Sequence, residues 1–568
     1  MATVKRQPAR RSTSATKKTT PKAQSIPNGK HPLLFATFST KSANEISDKW
    51  EQLKTNTSQI KMDKNQENVI KAALQRENNI AVQATAGSGK TTLALAIAKS
   101  MGVEDVVVLN NHKIATRLNL IKTTLPKWKL DENKYMSILG WKREEGLFNA
   151  FYTELEQRCE KRKDVDIPSY FDLKQLTLKA IDLYRSRLVD FYDFDACERM
   201  LIEWDINFLG FTDIIVPWIC NLILEMTEEE LNGDKDNETK IDFTDMLYYP
   251  VINYKNNGYR SKITFDTIIV DEAQDTCPLE IELYKLISHE NTKFIFLGQT
   301  EQTIYNFRGV AIDNYPQIIK DFNCQEFILG TSYRNPQCII PIAKQYCDYH
   351  TAFENNGTGK IEELEFTKIW DYLKEGDAVL CATNAPIIAL ALEGFKRKKY
   401  LDVKNHDIIS DLARLTEKIS KMKDFNYADF PDYCTNYFNK SIAIIQKYNP
   451  QSTQVDILND KKECLLSCYD ECIESNSIKE LIDFIKEVLS ADGKIPAMSI
   501  HASKGLEFNR LFILEWDKID KCKPDASEVQ KLSTRYRNFV GVTRIKITSG
   551  NSDSGIIHLV ESKQTKNK

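Results

Sequence analysis

Residues 80–99 read IAVQATAGSGKTTLALAIAK, and no other stretch constrains the fold as strongly. A short apolar run enters a turn of small residues that ends in Gly89, Lys90 and Thr91, and a strong helix former follows directly. Strand, glycine-rich loop and helix in that order form the context that a phosphate-binding loop needs. The backbone N–H groups of Ala86 to Lys90 are expected to wrap a β-phosphate at the positive end of the new helix. Lys90 adds a point charge for the β and γ oxygens, and the Thr91 hydroxyl completes a Mg²⁺ shell. The expected nucleotide-binding set is Ala84, Thr85, Ala86, Gly87, Ser88, Gly89, Lys90, Thr91 and Thr92, and the implied ligand is a nucleoside triphosphate.

The chain around this loop has the make-up of an ordinary globular protein, with 42% hydrophobic and 28% charged residues. Its 568 residues leave room for several domains. Charge is unevenly spread. Residues 1–31 hold eight Lys or Arg and no acid, within a Ser-, Thr- and Pro-rich composition that predicts disorder. The run KRQPARR reads equally as a nuclear address, a loose phosphate-binding arm or a solvated tail. The longest apolar candidate, IIVPWICNLIL at 214–224, is too short to span a membrane and reads as a buried helix. No apolar core follows the basic N-terminus, so a secretory signal is not expected. Thirteen scattered cysteines fit a reducing compartment. Cys464, Cys468 and Cys472 share a helix face, and with Cys434 they make a conceivable but atypical metal site.

Short apolar runs suited to buried parallel strands recur at 80–84, 105–109, 267–272 and 293–298, and again at 326–329, 378–382, 497–500, 511–515 and 556–560. Long helical stretches interrupt each set. The pattern predicts an α/β chain of two doubly wound parallel-sheet domains, each with a helical insertion. The expected division is a basic disordered tail over 1–44 and a first sheet domain over 45–141 and 241–325, interrupted by helices at 142–240. The second sheet domain covers 326–395 and 491–568, interrupted by helices at 396–490.

A pair of carboxylates ends the third strand, in IIVDEAQD. Asp271 is expected to hold Mg²⁺ and Glu272 to accept a proton from an attacking water. Phosphoryl transfer also needs positive charge on the γ-phosphate, for which Arg308, Arg334 and Arg544 are candidates. Composition does not rank them.

From the phosphate loop onward the motifs fall in one order: DEAQD, GQTEQTIYNFRG, SYR, CATNA, SIHASKGLEF and VGVTR, with IDFTDML just before the DEAQD strand. Over roughly residues 60–560 the chain resembles the UvrD/Rep-like superfamily 1 DNA helicases, whose two sheet domains are RecA-like. The NNHKIATRL and SILGW segments are nearest the branch that includes the F-box DNA helicases. The resemblance implies an ATP-driven enzyme that moves 3′ to 5′ along single-stranded DNA and unwinds forked duplex in replication, repair or recombination. It implies that Gln66 reads adenine, Tyr333 stacks on it, and Gln302 senses the γ-phosphate. Arg334 and Arg544 are implied arginine fingers, with Glu507 near the ribose or γ-phosphate. The implied DNA-side residues are Phe307, Arg308, Thr383, His501 and Lys504, with Phe307 as a base-stacking ring.

The chain departs from the family pattern at four places. Gln299 stands where Asp usually follows Gly, Asn110 where Phe is frequent, Ala382 where Arg is frequent, and Thr534 where an acid is common. These changes bear on coupling and DNA affinity rather than on the hydrolytic groups. A motor that strips proteins without unwinding, or a nucleotide-binding scaffold with weak turnover, are the competing readings. The basic segment suggests a nuclear or viral-replication setting, with a cytoplasmic one as the alternative.

Overall fold

A computed structural model describes residues 26–37, 39–55, 61–159, 169–208, 210–234, 237–304, 310–404, 406–473, 475–524 and 526–563. The first sheet is built from β1 (Gly29–Thr37), β2 (Ile80–Ala84), β3 (Val106–Asn110), β4 (Ile263–Asp271), β5 (Lys293–Gly298) and β6 (Gln325–Leu329). All its pairings are parallel, in the order β3-β1-β4-β5-β2-β6. Alternation along β1 shows why it takes this place. Leu34 and Ala36 point into one core layer and Leu33 and Phe35 into the other, so both faces of the strand are covered.

The second sheet contains β7 (Lys360–Leu364), β8 (Asp377–Cys381), β9 (Leu401–Val403), β10 (Ile495–Ser499), β11 (Arg510–Ile513) and β12 (Ile556–Val560). It is parallel too, in the order β7-β12-β11-β8-β10-β9. The two six-stranded parallel sheets with flanking helices are those of two RecA-like units. Five long helices, Leu147–Cys159, Tyr170–Arg187, Phe194–Glu203, Thr212–Asn232 and Asp245–Asn257, separate β3 from β4 among the described residues. Another four, His406–Ser420, Phe430–Tyr448, Gln454–Glu471 and Ile478–Leu489, separate β9 from β10. Among the described residues no helix is long and apolar enough to cross a membrane.

Two expectations are corrected. The tail predicted over 1–44 is too long, because β1 lies inside the first sheet between β3 and β4 and a helix begins at Thr40. The run LLFA at 33–36 is fully buried, and its apolar signal was masked by the basic residues before it. The strand at 326–329 does not open the second unit. It pairs with the phosphate-loop strand, Val82 opposite Phe327, and closes the first sheet. The chain crosses from β5 to this edge through helix Asn314–Asp321, a connection that the apolar pattern alone does not reveal.

The first unit also buries charge. Arg185 donates to Asp242 (3.0 and 2.8 Å) and Asp245 (2.5 Å), while Lys134 donates to Asp245 (2.6 Å) and Tyr249 (2.9 Å) and pairs with Glu230 (2.8 Å). The two acids come from the IDFTDML motif. Burial would raise Asp242, but Arg185 outweighs it and holds the carboxyl low. This network joins four helices of the insertion and its base, where an apolar core would have been the simpler solution.

Three of the four candidate cysteines belong to packing. Cys434, Cys464 and Cys468 lie in the core of the second helical set, and burial pushes the thiols of Cys434 and Cys468 up to about 12. Among the described residues no group of three or more His, Cys, Asp or Glu side chains is placed to hold a metal ion.

Candidate nucleotide site between the two sheets

Strand β2 ends at Ala84, and the loop that follows turns sharply through two glycines with φ of +75° and +81° at Gly87 and Gly89. A side chain at Gly87 has no room: a Cβ there would fall 2.5 Å from Arg334 Cβ and 2.7 Å from Ser332 Oγ. The loop is therefore pressed against the SYR segment, and Tyr333 N donates to Gly87 O at 2.9 Å. Ala86 packs into the apolar cluster of the second unit. Helix Lys90–Ser100 then starts at Gly89, leaving its first N–H groups for an anion. Ser88 Oγ is buried without a hydrogen-bond partner, which fits a loop built to close on a polyanion. Thr92, at the start of the helix, is exposed.

The carboxylates meet this loop from β4. Lys90 Nζ lies 3.7 Å from Glu272 Oε1. Asp271 is pushed up to about 6 by burial and by the neighbouring Glu272 charge, against Lys90 and a hydrogen bond from Thr91. Burial would raise Glu272 as well, but Lys90 and Lys504 outweigh it and hold the carboxyl low. Glu272 sits in the left-handed region at φ 54°, an uncommon conformation for a non-glycine residue, and Gln274 Nε2 holds its Oε2 at 2.6 Å. Thr91, Asp271 and Lys90 are thus brought together, as the donor set for a Mg-bound triphosphate requires.

Gln66 and Tyr333 also converge. Asp63 caps helix Lys64–Gln75 reciprocally with Gln66, whose Nε2 donates to Ser88 O at 3.0 Å. Tyr333 is exposed, packs against Phe353 (ring centroids 5.1 Å) and donates its hydroxyl to Asp63 at 2.5 Å. The two base-side candidates are therefore tied to one capping carboxylate. Asp63 was not singled out from the sequence, although the D-x-x-Q spacing carries the signal for it.

Each of the two arginines has a partner of its own. Arg334 Nη2 pairs with Glu507 at 2.6 Å, and Glu507 also faces Lys546 at 3.9 Å. Arg544 is 2% exposed, with Nε donating to Val540 O at 2.9 Å, yet its charge still helps to hold Glu272 low. Gln302 is buried and donates to Gln299 Oε1 at 2.6 Å.

The DNA-side candidates separate. Phe307 and Arg308 lie outside the described residues. Thr383 is exposed at the end of β8, beside Asn384 and Ala385, whose backbone amides are held by Asp460. His501 is half-buried in a turn after β10. Lys504 faces inward. Its Nζ donates to both oxygens of Asp275 (2.8 and 2.6 Å) and to Gln302 O (2.7 Å), bridging the two units beneath the DEAQD segment. A buried acid opposite drew it in, which the KGLEF motif alone does not disclose. Asn110 is explained by capping, since its side chain accepts from Lys113 N (2.9 Å) and donates to Thr40 Oγ1 (2.7 Å).

The histidines set an acid limit on the fold. Burial first, with nearby cations, pushes His350 and His501 down to about 4, and burial lowers His558 from 6.5 against the pull of Glu362. All three fold neutral, so the unfolded chain gains protons first. Stability is therefore complete above about pH 6.5 and falls as pH drops toward 4. Urea midpoints at pH 7.5 and 5 check this, with the lower midpoint expected at pH 5. An unchanged midpoint would mean that the rings are solvated.

The UvrD/REP helicase N-terminal domain family matches residues 95–323. The ATP-dependent DNA helicase Rep of Buchnera aphidicola subsp. Acyrthosiphon pisum is 25% identical over 271 residues, 46% of this chain and 35% of the relative. The probable DNA helicase II homolog of Mycoplasma genitalium is 25% identical over 289 residues, covering 46% and 40%. DNA helicase II of Haemophilus influenzae is 31% identical over 81 residues, covering 14% and 11%. Each of these matches spans less than half of the relative's own length. They correct the nuclear or viral-replication expectation, because these relatives are proteins of bacteria and mycoplasmas, which have no nucleus. A run of basic residues specifies charge, not a compartment.

Proposed function

We propose, on the premise that this chain belongs to the UvrD/Rep-like superfamily 1 helicases, that it hydrolyses ATP to move along single-stranded DNA and unwind forked duplex. The observation that carries the reading is the meeting of Lys90, Thr91, Asp271 and Glu272 at a glycine loop pressed against the second sheet unit. The loop amides and Lys90 bind the triphosphate, while Gln66 and Tyr333 flank the base. Mg²⁺, held by Thr91 and Asp271, would neutralise charge on the phosphate oxygens. Glu272, kept ionised by Lys90 and Lys504, orients the attacking water and takes its proton.

Arg334 and Arg544 come from the second unit, where they engage Glu507 and Val540 O, and act as the fingers on the γ-phosphate. Hydrolysis then depends on how the two units close, which makes chemistry a source of movement. Polarity from 3′ to 5′ rests on the family resemblance. Strand displacement from duplexes with a single 3′ or 5′ tail tests it, with unwinding expected only from the 3′ tail. ATP turnover without displacement from either tail would leave a translocase that does not unwind.

Phe307 is the proposed stacking residue on the DNA strand. Phe307→Ala is expected to weaken single-strand binding by about 1–3 kcal/mol while basal hydrolysis persists. Fluorescence anisotropy with a labelled oligonucleotide measures this, and unchanged affinity would remove Phe307 from the track.

A further inference from the structure

The departure at Gln299 has a structural consequence. Gln299, Gln302, Thr85 and His350 are all buried, and their polar atoms form one chain across the two units. Gln302 Nε2 donates to Gln299 Oε1 at 2.6 Å, which fixes the Gln299 amide with its nitrogen on the far side. That nitrogen donates to Thr85 Oγ1 at 3.3 Å. Thr85 Oγ1 in turn lies 2.6 Å from His350 Nδ1. The threonine hydroxyl has one proton and two lone pairs, so it can accept from Gln299 and donate to the imidazole at once, and a chain that runs in one direction points that proton at His350 Nδ1. His350 Nδ1 is then an acceptor, and the ring carries its hydrogen on Nε2. That nitrogen is buried and has no hydrogen-bond partner. A buried ring nitrogen without a partner is costly in either tautomer and calls for a reason.

The positions of the two ends supply one. Gln302 lies just upstream in sequence of Phe307 and Arg308, the residues proposed to meet DNA, and its carbonyl accepts from Lys504. Gln299 N is held by Gln274 Oε1 at 3.0 Å, and Gln274 also holds Glu272. Thr85 belongs to the phosphate loop. His350 precedes the short strand Thr351–Ala352 and packs edge-on against Phe539 of helix Glu528–Val542, which leads into Arg544.

We propose that Gln302, Gln299, Thr85 and His350 form a one-way hydrogen-bond relay that positions the phosphate loop against the second unit. Gln299 and His350 are its positioning residues for ATP turnover. This rests on the reading of the loop as an ATP site. An aspartate at 299 could not donate to Thr85, so the relay would reverse, and its charge would favour a protonated ring. Glutamine therefore keeps the relay neutral. The charges nearest the ring are Lys344 and Arg334, both of which oppose protonation, and burial pushes His350 down to about 4. Cys347, which Gln299 Nε2 also approaches at 3.7 Å, has its thiol raised by burial to about 12 and stays neutral.

The test reads the ring directly. The full chain, labelled with ¹⁵N-histidine, gives seven imidazoles, and the one missing from His350→Asn is His350. The relay requires the Nε2–H tautomer with no titration above about pH 5. A ring protonated on Nδ1, or charged near neutral pH, overturns it. Should His350→Asn not fold, the signal displaced in Thr85→Val supplies the assignment.

Gln299→Asp then tests the positioning role. The His350 midpoint is expected to rise by about one unit or more. The kcat for ATP is expected to fall roughly tenfold to a hundredfold with KM little changed, and to fall further as pH drops. An unmoved midpoint with unmoved kcat overturns the positioning role. If the wild-type chain turns over no ATP, the ATP reading fails, while the tautomer still decides whether the relay exists.

Discussion

Replacing Lys90 with alanine is expected to lower ATP turnover by roughly a hundredfold to a thousandfold, the scale for removing one preorganised charge from a transition state. The fold should survive. Lys90 opens helix Lys90–Ser100, a position that alanine fills well, and its nearest acidic partner is Glu272 at 3.7 Å. The loss should appear in kcat, because the backbone amides of the loop still bind phosphate. Steady-state hydrolysis beside a thermal melt checks both halves. Full turnover in the variant would remove residues 84–92 from the active site. Lost turnover with a collapsed melting temperature would instead make Lys90 a structural residue.

The second large effect concerns stability. Asp245→Ala removes a carboxylate that touches both Arg185 (2.5 Å) and Lys134 (2.6 Å) in the first unit. Asp245 is fully buried, and its two cations are 2% and 3% exposed, so water does not take its place. Breaking such a network by deleting one partner costs about 3–5 kcal/mol. That is a large fraction of the roughly 5–15 kcal/mol that stabilises a folded domain. Denaturant unfolding followed by tryptophan fluorescence should show the midpoint shifted down, and a shift near zero would mean that the site opens to solvent. Asp245→Asn keeps the shape while removing the charge, and it should fall between the wild type and the alanine variant.

The features legible in sequence were those set by local chemistry. The phosphate loop needs glycine at its two left-handed positions, small residues where Arg334 and Ser332 approach, and Lys and Thr at the helix start. Those needs are written in consecutive residues. The DEAQD strand is likewise a continuous apolar run ending in acid. Features set by distant partners were harder to read. The burial of β1 depends on neighbours more than 60 residues away, so basic composition concealed it. The edge position of β6 depends on a crossover. Lys504 is a DNA-side candidate through the resemblance of its KGLEF segment alone, and the acid it is paired with lies 229 residues earlier. His350 had no signal at all. Its importance comes from Thr85 and Gln299, which only the packing of two units brings beside it.

The same distinction explains the substitutions. Asn110 removes a ring where the family often has one, yet it caps the helix that follows and ties it to Thr40. Gln299 removes a charge and gains a donor that a buried threonine accepts. Nothing in the structure explains Ala382 or Thr534.

Steady-state ATP hydrolysis with and without single-stranded DNA, beside the Lys90→Ala control, tests the central claim most directly. Strong stimulation by DNA, absent in the variant, is the expected result. Equal turnover with and without DNA, or none in either condition, would contradict a DNA-coupled motor.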